Sequence, residues 1–193
     1  MLAIKNTDLM TVDDYLEGEL SSDIKHELID GTIYAMAGAS ANHERISVNV
    51  LAEFRNHLKN QPCEPFGSDM KLRINSNFFY PDVMVDCHFD NSEPYFTQTP
   101  LIIVEVLSKS TRKKDTTLKF ISYINIHSLQ EYVLIEQDFV DVQVFRRSEG
   151  WLVRHYFLGD EITFESIGLT LSVEDIYHRV QNDDMVEFLA NKT

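Results

Sequence analysis

Two apolar runs constrain this chain more than anything else in it. Tyr80-Pro81-Asp82-Val83-Met84-Val85 and Pro100-Leu101-Ile102-Ile103-Val104-Glu105-Val106-Leu107 read as buried strands, and each carries one carboxylate. The second run is almost continuously apolar, the pattern of a strand covered on both faces. A strand of this kind has no packing use for an acid. Burying an unpaired carboxylate costs several kcal/mol or shifts its pKa. If the two strands lie side by side, Asp82 and Glu105, 23 residues apart, can face one side. Two such acids can hold a hard divalent cation such as Mg²⁺, which prefers oxygen ligands and keeps several waters. Such an ion lowers the pKa of bound water and stabilises charge on a phosphoryl group. Metal-assisted hydrolysis is therefore the leading expectation, with an acid paired to Arg or capping a helix as the bland alternative.

The rest of the chain supports a single domain over residues 1–193 with a sizeable core. Hydrophobic residues make up 44% and charged residues 25%, ordinary values for a globular protein. No apolar run reaches the roughly 18 residues of a membrane span, and the N-terminal residues lack the apolar core of a signal peptide. Cys63 and Cys87 show no metal-ligand spacing, which predicts two free thiols in a reducing cytoplasm. The net charge of −14 excludes a general nucleic-acid coat, because phosphate binding relies on clustered Lys and Arg. Local basic stretches remain: Lys109 with Arg112, Lys113 and Lys114; Lys71 with Arg73; and Arg146 with Arg147. The first follows Glu105 directly.

The predicted elements form a mixed α/β layout. Thr11 and Asp14 make a capping box for a first helix. Asp30-Gly31 between two β-prone runs, 26–29 and 32–36, is a hairpin signal. Ile46, Val50, Phe54 and Leu58 recur at helical spacing and predict a helix over about 42–59. Strands follow at 69–74, 80–87 and 101–107. A helix opens at Ser108–Thr111 and runs to about Ile126. Further strands are expected at 131–136, 140–147 and 151–158, then a short apolar stretch at 167–171 and a last helix from about Val173. This order predicts a central mixed β-sheet flanked by helices, with an N-terminal helix and hairpin and extra C-terminal strands.

A cation near the acids would complete a hydrolytic site. Position 107 is Leu, and Lys119 lies on the predicted helix in one stripe with Asp115 and Tyr123. Spacing alone leaves Lys119 balanced between a site residue and a surface ion pair with Asp115. Asp86, Cys87 and His88 form a short cluster that offers a weaker, transition-metal alternative. No HExxH, GxSxG or P-loop pattern is present.

The segments ELIDGTIYAMAGAS, NHERISVNV, GSDMKLRI, YPDVMV, the long run from Pro100 to Arg147 and IGLTLSVEDIY together resemble the Uma2 family of restriction endonucleases, also called DUF820, within the PD-(D/E)XK superfamily. The resemblance covers about residues 10 to 180. It implies a restriction-endonuclease-like core and hydrolysis of phosphodiesters, most readily in DNA, with Mg²⁺ or Mn²⁺. It makes Asp82 and Glu105 the metal acids, with the main-chain carbonyl of Val106 as a third ligand. The superfamily lysine position is Leu107 here, and the resemblance points to Lys119 as its displaced counterpart. Glu44 becomes a candidate extra acid from the first long helix. His43, Glu27 and Asp69 are weaker candidates, with a hydrogen-bonded structural role favoured for His43. Lys109 stands where the family commonly has Pro and, with Arg112 and Lys113, is a candidate nucleic-acid contact. A homodimer is expected, so that two single-strand cuts can meet on one duplex. The alternative reading is a nucleic-acid-binding protein that keeps the nuclease fold without turnover, motivated by Leu107 and the acidic composition.

Overall fold

The computed structural model describes residues 9–109 and 112–192. Helix α1 (Val12–Ser21) starts at Thr11, whose hydroxyl accepts the Asp14 N–H at 3.2 Å and donates to the Asp14 carboxylate at 2.6 Å, as the capping box predicts. Strands β1 (His26–Ile29) and β2 (Thr32–Ala35) pair antiparallel as the predicted hairpin. Asp30 and Gly31 both take positive φ, 49° and 74°, which is the two-residue turn that matches strand twist. A Cβ on Gly31 would stand 2.9 Å from the Leu9 Cβ. Gly31→Ala is therefore expected to cost about 1–2 kcal/mol from strain and crowding, read as a lower midpoint in urea.

Helix α2 (Ala41–His57) buries Ile46, Val50 and Phe54, the predicted stripe, with Leu58 buried just past its end. Strands β3 (Glu64–Gly67), β4 (Lys71–Ile74), β5 (Asn77–Phe79), β6 (Val83–Asp86), β7 (Phe96–Thr97) and β8 (Pro100–Leu107) follow. Helix α3 (Arg112–Lys114) then passes into a π-helical turn (Asp115–Lys119) and α4 (Phe120–Ile124). Strands β9 (Glu131–Glu136), β10 (Val142–Arg146), β11 (Val153–Tyr156), β12 (Glu161–Phe164) and β13 (Leu169–Ser172) and helices α5 (Val173–Ile176) and α6 (Asp183–Asn191) complete the order. The described part of the predicted 108–126 helix is thus three short pieces, and its predicted opening at Ser110 and Thr111 lies outside the described residues.

Among the described residues the strands form three sheets. One has the order β2-β1-β5-β4-β7, the second β11-β10-β9-β8-β6-β3, and β12 pairs with β13. The second sheet is mixed, since β8 runs parallel to β9 while its other pairs are antiparallel. Strand β8 lies inside it, and its alternate residues serve two cores. Ile102, Val104 and Val106 pack with α2, while Ile103 and Leu107 pack with Tyr123, Tyr132 and Leu134 on the opposite face. Glu105 shares the parity of Ile103 and Leu107, which aims it at the face carrying Tyr123 and Tyr132.

Two expectations are corrected here. The predicted strand 80–87 is divided: Phe79 ends β5 in one sheet and Val83 begins β6 in another. Pro81, between them, has no N–H for a ladder, so the chain changes sheets there. Cys63 and Cys87 are not free thiols but a disulfide. The register of β3 against β6 pairs Glu64 with Asp86, which sets the flanking cysteines opposite each other, a pairing invisible in their linear spacing. Strands β3, β5, β7 and β12 were also not anticipated; each has four residues or fewer, too short a stretch to stand out, although β12 does alternate, with Ile162 and Phe164 buried. Among the described residues no helix is long and apolar enough to cross a membrane.

Candidate active site

Asp82 enters the site because of the sheet change. Val83 pairs with Val104, so Asp82, one residue before the ladder, comes level with Glu105 across the β6–β8 pair. The Asp82 carboxylate accepts the Val106 N–H at 2.7 Å and lies 3.3 Å from His43 Nε2. His43 reaches it from the first turn of α2, where its own N–H is capped by the Ser40 hydroxyl. Burial alone would lower the His43 pKa, but the Asp82 carboxylate outweighs that and holds it above its ordinary value. His43 Nδ1 has no hydrogen-bond partner among the described residues.

Glu105 is 3% exposed, and one oxygen, Oε1, accepts both Lys119 Nζ at 2.9 Å and the Tyr123 hydroxyl at 3.0 Å. Lys119 is the hub of the cluster. Its ammonium also lies 3.1 Å from Glu27 and 3.3 Å from Asp115, and it is almost wholly buried. The π-helical turn brings Asp115 and Lys119 inward together, and Tyr132 anchors that turn by donating to the Asp115 carbonyl at 3.1 Å. Glu27, fully buried on β1, completes the ring; it pairs with Lys114 as well as Lys119 and accepts the Tyr80 N–H at 3.4 Å.

Four acids thus face three basic groups: Glu27, Asp82, Glu105 and Asp115 against Lys114, Lys119 and His43. Burial pushes Glu105 well above the usual carboxylate range, and the nearby Asp115 and Asp82 add to this, while Lys119 opposes it. Burial would raise Glu27 too, but its two lysines outweigh that and hold it below its ordinary value. Lys119 is pulled down by burial yet held well above its usual value by Glu105 and the other negative groups, so it stays an ammonium.

Glu27, His43, Asp82, Glu105, Asp115 and Lys119 line a cleft of about 640 Å³, together with Glu44, Tyr80, Val106 and Gln137. Gln137 bonds the Ser40 hydroxyl and donates to the Leu107 carbonyl at 3.0 Å, tying α2 to the end of β8.

Asp82, Glu105, Val106 and Lys119 are therefore gathered at one point. Glu44 lines the same cleft but is exposed and, among the described residues, has no hydrogen bond or ion pair that ties it to the cluster; its neighbour His43 meets Asp82. Asp69 is exposed and paired with Lys25 instead. Lys109 and Lys113 are exposed, whereas the Arg112 guanidinium is engaged by buried Glu136. The surface pairing of Asp115 with Lys119 is corrected: the pair exists, but buried inside the site. Asp115 was missed as a site acid because exposure cannot be read from i, i+4 spacing. The transition-metal alternative is also overturned. Cys87 is in the disulfide, and Asp86, fully buried, accepts from the His88 N–H and the hydroxyls of Thr97 and Thr99.

Sequence comparison decides the family. The profile described as "Putative restriction endonuclease", Uma2, matches residues 12–174. The chain belongs to the Uma2 family. Two Synechocystis proteins are similar to it: slr1290, 38% identical over 87% of this chain and 91% of its own length, and sll1609, 37% identical over 79% and 90%. The crystal structure of an Anabaena variabilis protein described as a putative nuclease belonging to DUF820 superposes with a TM-score of 0.75 at 19% identity, covering 89% of this chain and 99% of that one. That likeness establishes the fold, the mixed α/β architecture expected of a restriction-endonuclease-like core. Family and fold together are those of a nuclease.

Among the described residues no three His, Cys, Asp or Glu side chains are grouped as a complete metal site. The donors present nevertheless suit a hard cation. Asp82 and Glu105 offer oxygens at the cleft wall, and the second oxygen of Glu105 receives no hydrogen bond among the described residues. Burial first, and then the neighbouring Asp115 and Asp82, disfavour the charged form of Glu105, a cost that a divalent ion at these oxygens would offset.

Proposed function

We propose that this Uma2 member is a single-domain, divalent-metal-dependent endonuclease that hydrolyses phosphodiester bonds, with DNA as its substrate. The observation that carries this reading is the meeting of Asp82, Glu105 and Lys119 in one cleft although they come from three separate elements. Asp82 and Glu105 would hold Mg²⁺ or Mn²⁺. The Val106 carbonyl joins them, since its N–H points to Asp82 and the N–H and C=O of one strand residue point the same way. The ion, when bound, activates the attacking water and offsets charge on the phosphoryl group.

The chain's own residues supply positioning. Lys119, kept charged by its carboxylates, acts as a donor that orients the water or a phosphoryl oxygen rather than as a base. Glu27 and Tyr123 fix the Lys119–Glu105 pair from two sides. His43 orients the Asp82 carboxylate. Lys109 and Lys113, exposed beyond the end of β8, take phosphates of the bound strand, with Arg112 a weaker contributor because Glu136 already neutralises it. Glu44, at the cleft wall, adds an acid facing the substrate. A two-fold dimer would present two such sites to the two strands of a duplex.

The test is cleavage of supercoiled plasmid and of single-stranded DNA with Mg²⁺, with Mn²⁺ and with EDTA. Cutting in either metal that EDTA abolishes supports the reading. No cutting of plasmid, single-stranded DNA or RNA by protein free of contaminating nuclease overturns it. His43→Ala is expected to raise the Mg²⁺ concentration needed for half-maximal cleavage about 10- to 100-fold, read by titrating the metal in the same assay, because groups that orient a metal ligand typically contribute that much to metal affinity.

A further inference from the structure

Beside the catalytic cleft lies a second one of about 460 Å³, lined by Leu51, Phe66, Ser68, Lys71, Pro94 and Tyr95. Ser68 lines both clefts, so the two adjoin at that residue. Lys71, on β4, is only 7% exposed, yet it makes no ion pair and no hydrogen bond among the described residues. Its ammonium lies between two aromatic rings, 5.5 Å from the centroid of Tyr80 and 5.9 Å from that of Tyr95. The carboxylate that acts on it electrostatically, Glu19, is already bonded to the His26 N–H and the Tyr80 hydroxyl. Asp69, also on this cleft, is held by Lys25.

The Lys71 ammonium faces the cleft beside these rings and has no protein acceptor among the described residues, so its donors are open to a ligand there. Anionic oxygen is the ligand an ammonium takes best. Tyr95, 56% exposed, turns most of its surface to solvent at the same place, where a planar ring can stack. A cation buried beside an exposed aromatic ring, one ring away from the catalytic cleft, matches what a polynucleotide strand offers: a phosphate and a base in succession. In a chain of net charge −14, a cation not already neutralised has particular value for such a ligand.

We propose that Lys71 and Tyr95 form a subsite for a nucleotide flanking the scissile bond, with Lys71 on its phosphate and Tyr95 stacked on its base. The assignment rests on the nuclease reading and adds the path of the bound strand, from the Asp82–Glu105 acids past Tyr80 and Ser68 into the second cleft.

The experiment measures the anisotropy of a short fluorescein-labelled single-stranded DNA with the full chain in EDTA over a salt series. Wild type is compared with Lys71→Met, Tyr95→Ala and Tyr95→Phe, and the same four proteins are assayed for cleavage. Lys71→Met is expected to weaken binding about fivefold and to lower the slope of log Kd against log salt by about one. Tyr95→Ala, a surface change that leaves the fold intact, is expected to weaken binding about tenfold, with Tyr95→Phe close to wild type. In cleavage, KM rises and kcat holds. Wild-type affinity and salt slope in both Lys71→Met and Tyr95→Ala overturn the subsite while leaving the nuclease reading intact. A wild-type protein that neither binds nor cuts nucleic acid overturns both.

Discussion

Asp82→Ala and Glu105→Ala are each expected to reduce metal-dependent cleavage by about a thousandfold or more, because each removes a ligand from a site that depends on a bound cation for its nucleophile and its charge stabilisation. The two variants should differ in stability. Asp82→Ala leaves the Val106 N–H and His43 without their acceptor, a modest loss at a partly exposed position. Glu105→Ala removes an acid from a buried cluster that already has too many, so its folded state should hold up better than the loss of a buried ion-pair partner ordinarily allows. Plasmid cleavage with Mg²⁺, beside a thermal melt of each variant, reads both effects. Wild-type cutting by either variant would place the chemistry elsewhere in the protein.

Lys119→Met is expected to destabilise the chain by about 3 to 5 kcal/mol, roughly 10 °C in Tm for a chain of this size, and to abolish cleavage. Lys119 is the common partner of Glu27, Glu105 and Asp115, and without it three buried carboxylates lose the cation they share, with Lys114 still paired to Glu27. The loss should depend on pH with a definite sign. Carboxylates deprived of their cation have folded pKa values above their unfolded ones. They therefore favour the fold below the unfolded value, about 4.3, and disfavour it increasingly as pH rises through the folded value. The variant should accordingly melt nearer to wild type at about pH 5 than at about pH 8. Adding Glu105→Gln should restore part of the stability without restoring cleavage, a coupling that a double-mutant cycle measures directly. Equal destabilisation at both pH values would mean that Lys119 contributes packing rather than charge.

Much of the local structure was legible because it depends on neighbours in the chain. Asp30-Gly31 specified its turn through the conformational freedom of those two residues, and Thr11 with Asp14 specified a helix start. The stripe Ile46, Val50 and Phe54 specified which side of α2 is buried. The run from Ile102 to Leu107 specified a strand covered on both faces, which made its acid conspicuous. The family was legible for a related reason, since several ordered segments together are far more specific than any one motif.

The sequence by itself therefore determined the α/β class, the family and the two acids that stand out from apolar strands. Only the tertiary structure decided what those acids meet. Lys119 could have been half of a surface pair; the π-helical turn and the packing of Tyr123 and Tyr132 against β8 carry it inward. Glu27 and Asp115 lie 78 residues before Glu105 and 10 after it, and no pattern in the chain announces that they share a cation. The disulfide between Cys63 and Cys87 and the bare ammonium of Lys71 belong to the same class of fact. The physical reason is that periodicity reports which face of an element is buried, whereas charge balance depends on which elements the fold brings together.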